Sequence, residues 1–263
     1  VAAADPVDGR QVYGQDPASY RAGRPDYPQR VFDVLVDRCG LGEASRVLEI
    51  GPGTGLATAR LLALGANVTA VEVNPSMATY LRETLPDDAL QVVRSSFEDA
   101  PLMEASFDLA VAANAFHWVD QEVGPKRLRH LVVAGGWIAI WGMLFDDPTR
   151  PDDLAPSMQS LLGVSSIAAA EPGELPFHLD MSSRLPGLHN AGFVEVDNEV
   201  IRSDVTMTAA QVRALYASMT LILCRPRDEQ AGLLDTIEGI VRDDFGGHVD
   251  RHFITILYTA RNP

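Results

Sequence analysis

The densest chemistry in the chain lies in nine residues, Val47 to Gly55, written VLEIGPGTG. Three glycines, Gly51, Gly53 and Gly55, follow an apolar stretch and precede a helix-forming one. Glycines at such a junction let backbone approach a ligand closely, and the first N–H groups of a helix are unsatisfied donors. Thr54 adds a hydroxyl to the same turn. Glu49 sets a carboxylate inside the apolar stretch, where an unpaired charge is costly to bury. Glu72 ends the next apolar stretch, AVEV, and a carboxylate there can accept from two donors at once. His117 and Trp118 follow a third such stretch, FDLAVAANAF. An imidazole can serve as a general base, although a lone histidine is also a common structural residue.

Residues of this kind act together only if several strands end along one edge, as in open α/β sheets whose ligands sit at the carboxyl ends of the strands. The hydrophobic pattern predicts such a scaffold. From Pro28, the residues Val31, Phe32, Leu35, Val36 and Cys39 repeat with a helical period. A strand at 46–50 and a helix at about 55–64 follow, then a strand at 67–73. Asn74-Pro75 opens a helix with the buried stripe Met77, Tyr80, Leu81 and Leu85, asparagine suiting the cap and proline the first position. Further strands are expected at 90–94, 107–113 and 136–143, with a helix at about 121–132. This alternation reads as a parallel sheet with helices on both faces. From 145 to 185 the pattern loosens beyond a plain connection, so the segment reads as a cap or a mobile loop. A helix at 181–191, a strand at 193–201, helices around 212–219 and 233–241 and a terminal strand, HFITILYTA, complete the reading. The expected organisation is an N-terminal lid at 1–27, the ligand-binding half of a domain at 28–144, the cap at 145–185 and the rest of the same domain at 186–263.

Two ligand classes use a glycine-rich turn of this kind. Dinucleotides want Gly-x-Gly-x-x-Gly, but here the third glycine comes one position early and Leu56 stands in its place. The spacing E-x-G-x-G-x-G instead resembles the first motif of class I S-adenosylmethionine-dependent methyltransferases. AVEVNPSM, SSFEDAPL at 95–102, SFDLAVAANAFHWVD at 106–120 and RHLVVAGGWIAI at 129–140 resemble that family's later motifs in order. The terminal strand is similar to its antiparallel seventh strand. The resemblance covers about 20–144 and returns at about 186–260, and it is nearest to the trans-aconitate methyltransferase group. It implies a Rossmann-like, seven-stranded, mostly parallel sheet with an antiparallel last strand, and a cap between strands 5 and 6. It also implies S-adenosylmethionine as cofactor, with S-adenosylhomocysteine as product. In that frame Glu49 holds the methionine end and Glu72 takes the ribose hydroxyls. Val73 and Phe97 flank the adenine, and Ser96 or Glu98 meets its amino group. Ala112 and Asn114 offer a carbonyl or amide to the methionine ammonium. Trp118 walls the acceptor pocket and His117 is a candidate base. Tyr20, Arg24 and Tyr27 form the lid, while Met143, Phe145, Met158, Phe177, His178 and Met181 are candidates for lining the cap.

Composition narrows the acceptor. Acids outnumber bases 36 to 21, for a net charge of −15, which argues against nucleic acid and anionic membrane surfaces. No apolar run reaches the ~18–20 residues of a membrane span. The stretch VAAADPVDGR lacks the basic and apolar parts of a signal peptide. The two cysteines, Cys39 and Cys224, lack metal or redox spacing and read as buried thiols in a reducing compartment. No metal is expected, and the location expected is cytoplasmic. Lys126 is the sole lysine, a usage that suits a GC-rich bacterial gene. The expected partner is a small organic methyl acceptor, modified on a carboxylate or hydroxyl oxygen; the sequence leaves oligomeric state open. Three competing classes stay in view. A nicotinamide-dependent oxidoreductase would bind NAD or NADP. A non-catalytic module would bind S-adenosylmethionine without turnover. An aminopropyl transferase would want more acids around its acceptor.

Overall fold

The computed structural model describes residues 13–163 and 178–263; the readings placed on residues 1–12 and on Phe177 lie outside them. A 3-10 turn, Tyr13–Gln15, and α1, Pro17–Gly23, are followed by α2, Gln29–Asp37. Then come β1 (Arg46–Ile50), α3 (Leu56–Ala63), β2 (Asn67–Glu72), α4 (Pro75–Thr84), β3 (Leu90–Arg94) and β4 (Phe107–Ala113). A 3-10 turn, Phe116–Trp118, leads to α5 (Gly124–Leu131), β5 (Val132–Leu144), α6 (Ala155–Leu162) and α7 (Met181–Asn190). The last elements are β6 (Val194–Thr208), α8 (Ala209–Ala217), α9 (Thr220–Leu223), α10 (Arg227–Asp244) and β7 (His248–Arg261).

The seven strands are ordered β3-β2-β1-β4-β5-β7-β6. The pairs β2/β3, β1/β2, β1/β4 and β4/β5 are parallel, and β7 is the antiparallel strand. Gly135 N–H donates to Asn262 O at 2.7 Å and Asn262 N–H to Gly136 O at 2.8 Å, tying the start of β5 to the end of β7. Four of the five β1 residues are buried, as a central strand covered on both faces requires. Asn74 Oδ1 accepts from the N–H groups of Ser76 and Met77, and Pro75 takes the first helical position, so α4 starts where the sequence places it. The expected fold class is the one observed.

Two compact units make up the chain. Among the described residues, the first comprises Tyr27–Met143, 178–201 and Thr255–Pro263; the second comprises 13–26, 144–163 and Arg202–Ile254. The first, the sheet unit, holds β1–β4, nearly all of β5 and helices α2–α5 and α7. The second, the helical unit, has its own core, including Leu154, Met158, Leu215, Tyr216, Ile237 and Val241. Here the structure departs from the expected boundaries: residues 202–254 group with the segment after β5 rather than with 186–201. The reason is that α8 and α10 bury their apolar stripes against each other and against α6. Met158, expected to line a cap, is 2% exposed in that core. Of the two cysteines, Cys39 is buried as expected and Cys224 is exposed. Among the described residues no helix is long and apolar enough to cross a membrane.

Within the helical unit α1 packs on α8 at backbone contact: a Cβ on Gly23 would stand 2.1 Å from Ala214 O. Backbone cannot move aside as a side-chain tip can. Gly23→Ala is therefore expected to cost about 2–3 kcal/mol and to lower the thermal midpoint by roughly 4–10 °C. Gly232 in α10 has nothing among the described residues within 4 Å of its Cβ position. Gly232→Ala should raise the midpoint in the same scan through helix propensity.

Candidate functional site

The glycine turn sits between β1 and α3 in the sheet unit, and its glycines do different work. Gly51 has φ +63° and lies against the β4 loop, where a Cβ would come 2.6 Å from Ala115 Cβ. Gly55 caps α3 in the left-handed region, close to the Leu81 and Leu85 side chains of α4. Gly53, with φ +57°, has nothing among the described residues within 4 Å of its Cβ position. Two glycines thus draw the turn onto its neighbours, and the third faces open space. Thr54, between the last two, is buried.

Two acids flank this turn. Glu72, at the carboxyl end of β2, accepts from Gly53 N–H at 3.0 Å and from Asn74 N–H at 2.8 Å. Burial raises its carboxyl above the usual value despite these two donors. Glu49 in β1 has no exposed surface. Its Oε2 accepts from the Thr58 hydroxyl of α3 at 2.7 Å, and among the described residues its Oε1 has no hydrogen-bond partner. Burial first, and the Glu72 charge second among the raising causes, push its pKa up to about 7 against the opposing Thr58 hydrogen bond.

The remaining predicted cofactor residues fall at the ends of β2, β3 and β4. Val73 is 43% exposed just past Glu72, available as an apolar wall. Phe97 is 4% exposed under the Arg127 guanidinium, 5.5 Å from its ring centre. Ser96 Oγ donates to Asp99 at 2.8 Å and accepts from Asp99 N–H at 3.2 Å. Glu98 accepts from Asp120 N–H at 3.0 Å. Ala112 is buried opposite Ile50 in the β1/β4 register. Asn114, with φ +52°, accepts from Met143 N–H at 2.7 Å through Oδ1 and so fastens the β4 end to β5.

His117 and Trp118 stand next to each other, ring centres 4.8 Å apart, and His178 meets His117 edge-on at 5.3 Å. His117 keeps an exposed edge, while desolvation on its packed side lowers its pKa and leaves it neutral at pH 7. His178 is buried and lowered further, to about 3, mainly by desolvation. It fits because β5 carries Gly142, whose Cβ would lie 2.0 Å from the His178 ring. The Tyr258 hydroxyl donates to the His178 carbonyl at 2.7 Å.

The structure divides the predicted lid. Tyr27 belongs to the sheet unit, packed edge-on against buried Trp141 at 5.6 Å. Tyr20, Arg24 and Phe145 assemble in the helical unit. The Arg24 guanidinium lies 4.7 Å from the Tyr20 ring and 4.6 Å from the Phe145 ring, and Nη2 donates to Ser218 O at 2.7 Å. Among the described residues it forms no ion pair.

Sequence reasoning passed over three contributors. Thr58 is a polar residue on the buried face of an apolar helix, LATARLLA, and that mismatch was the available signal. Ala115 and Gly142 carried none, because their roles are spaces left for Gly51 and for His178.

Residues 48–140 match the model of a family described as methyltransferase domain. The chain is similar over 256 residues, 95% of its length and 96% of the relative's, to an uncharacterized methyltransferase of Schizosaccharomyces pombe, at 25% identity. A Mycobacterium tuberculosis protein, also named an uncharacterized methyltransferase, is 34% identical over 128 residues, 49% of this chain. The match spans 50% of that relative's length. Among solved structures, phosphoethanolamine N-methyltransferase 2 of Haemonchus contortus shares the fold with a TM-score of 0.58 at 15% identity, over 98% of this chain and 61% of its own. That protein was determined with phosphomonomethylethanolamine and S-adenosylhomocysteine. The domain match is thus a likeness to methyltransferases over residues 48–140, and the solved structure shows that the fold is shared.

Proposed function

We propose that the protein transfers a methyl group from S-adenosylmethionine to a small organic acceptor, at a carboxylate or hydroxyl oxygen. One observation carries the cofactor half: a carboxylate at the end of β2, Glu72, is bonded to the N–H of the glycine that faces open space. The residues present fit the cofactor. Glu72 can accept from ribose hydroxyls with lone pairs beyond those used by Gly53 and Asn74. Glu49 has an oxygen to offer an ammonium, and Val73 supplies an apolar surface for the adenine. When bound, S-adenosylmethionine supplies a methyl group on a positively charged sulfur, displaced in line by the acceptor. The chain's part is to fix both partners, and alignment alone can lower a barrier by roughly 7–11 kcal/mol.

Calorimetric titration of the purified chain tests this reading. Micromolar binding of S-adenosylmethionine and S-adenosylhomocysteine, without binding of NAD or NADP, is expected. Binding of a nicotinamide cofactor alone would sink it.

For the acceptor, two sets of residues are assembled, each within its own unit, and each is testable alone. Arg24, flattened between two rings and without an ion pair among the described residues, supports a carboxylate-bearing acceptor, since guanidinium–carboxylate recognition is strong and directional. Neutral His117 supports an acceptor hydroxyl that must lose its proton. On a panel of carboxylic acids and alcohols, Arg24→Gln should raise the KM for acids by about 10-fold or more and leave S-adenosylhomocysteine binding unchanged. A selective loss in His117→Ala, with Arg24→Gln silent, would make the acceptor a hydroxyl.

A further inference from the structure

Buried at the heart of the site, Glu49 presents a problem that the proposed function does not solve. An ionised carboxylate with no exposure and one bare oxygen is costly. Yet among the described residues the groups around Glu49 that favour a charge there are the Thr58 hydroxyl and, more weakly, the Thr58 backbone N–H. From α3 it receives Thr58. From β2 the charged neighbour is another acid, Glu72. Its register partners, Ala70 of β2 and Val111 of β4, are uncharged. Among the described residues no arginine, lysine or histidine forms an ion pair with it. The arrangement suits an acid that is neutral below about pH 7: Oε2 accepts from Thr58, which leaves Oε1 as the oxygen to carry the proton.

We propose that cofactor binding drives this proton off Glu49, with Thr58 as the positioning residue that holds the carboxylate for the incoming ammonium. The inference rests on the reading of this turn as the S-adenosylmethionine site and deepens it. The step balances simply. The O–H bond at Oε1 breaks, the proton passes to solvent, and the ligand's ammonium keeps its own three protons and pairs with the carboxylate formed. The sign follows from linkage: a group deprotonated in the complex and partly protonated without ligand makes binding release protons and strengthen as pH rises. Glu49 titrates at about 7 without ligand, so release is near one proton at about pH 6, half at about pH 7 and small at about pH 8. Above about pH 8 the free ligand's own amine is deprotonated, and binding then takes protons up.

The test is calorimetry with S-adenosylhomocysteine, which bears the same ammonium and cannot turn over, in pairs of buffers differing in ionisation enthalpy. Wild-type protein should show the release described. Glu49→Gln, close in shape to a neutral Glu49, should fold and show none at about pH 6, while keeping uptake above about pH 8. 5′-Methylthioadenosine, which keeps the ribose and lacks the ammonium, should bind without release, which separates Glu49 from Glu72. Thr58→Val removes the stronger of the two Thr58 donors that favour the charged form and keeps the backbone N–H, so its half-release point should move up by about one pH unit. Thr58→Ser should restore it, which a merely structural role for Thr58 would not require. Buffer-independent binding of S-adenosylhomocysteine at about pH 6, or release that persists in Glu49→Gln, overturns the inference and leaves the cofactor assignment standing. No binding of S-adenosylhomocysteine at any pH overturns both.

Discussion

Replacing Glu72 by alanine is expected to weaken S-adenosylhomocysteine binding by at least about 100-fold. Two losses add up. A carboxylate that accepts from both ribose hydroxyls makes two charge-assisted hydrogen bonds, each about 1.5–3 kcal/mol. The same carboxylate holds Gly53 N–H and Asn74 N–H, so its removal also frees the turn that the ligand must meet. Folding stability should change far less, because a partly desolvated acid whose charge burial disfavours is removed along with its hydrogen bonds. Glu72→Gln separates the two losses. One amide oxygen can still accept while the amide nitrogen faces a donor, so binding should fall between wild type and alanine. Titration calorimetry beside a thermal melt decides it: equal losses of affinity and stability in Glu72→Ala would mean that Glu72 is structural only.

The second large effect is expected at Gly51. Alanine there must hold φ near +63° with its Cβ 2.6 Å from Ala115 Cβ. The left-handed backbone costs about 1–2 kcal/mol and the overlap about 1–3 kcal/mol, so Gly51→Ala should lose about 2–5 kcal/mol and cofactor binding with it. The two costs can be told apart. Adding Ala115→Gly relieves the overlap and leaves the backbone cost, so the double variant should recover part of the stability and stop short of wild type. Full recovery would show that the backbone conformation costs nothing there; no recovery would show that the loop after β4 does not set the position of the turn.

Much of the sheet was legible because apolar runs in a covered parallel sheet are long and cleanly bounded. Strands expected at 46–50, 90–94 and 107–113 are β1, β3 and β4, and the Asn74-Pro75 helix start is where capping chemistry puts it. β6 was underestimated: it runs on to Thr208 through residues that are mostly exposed or half-buried, so no apolar run marks its second half. β5 begins at Val132, before Gly135 and Gly136, which read locally as a turn. The two-unit division was not legible, since an amphipathic stripe such as that of α10 says that a face is covered and not by what. That two acids and three glycines gather around the turn after β1 was legible from type and spacing. Thr58 stands out in sequence only as a polar residue on an apolar helix, and its partner Glu49 appears only in the fold. Tyr20 and Tyr27 read as one lid because they are near in sequence; in the fold Tyr20 belongs to the helical unit and Tyr27 to the sheet unit.

The strand order has a consequence for the making of the protein. β7 pairs between β5 and β6, yet roughly a hundred residues separate it from β5 in the chain. At typical synthesis rates that gap lasts about 5–20 s. Throughout it, β5 presents an open edge of backbone donors and acceptors along a largely apolar sequence, WIAIWGML, the kind of edge that templates pairing with another chain. The nascent protein thus carries an open apolar edge once β1–β5 have been made, and a chaperone that recognised the unpaired edge of β5 would cover it.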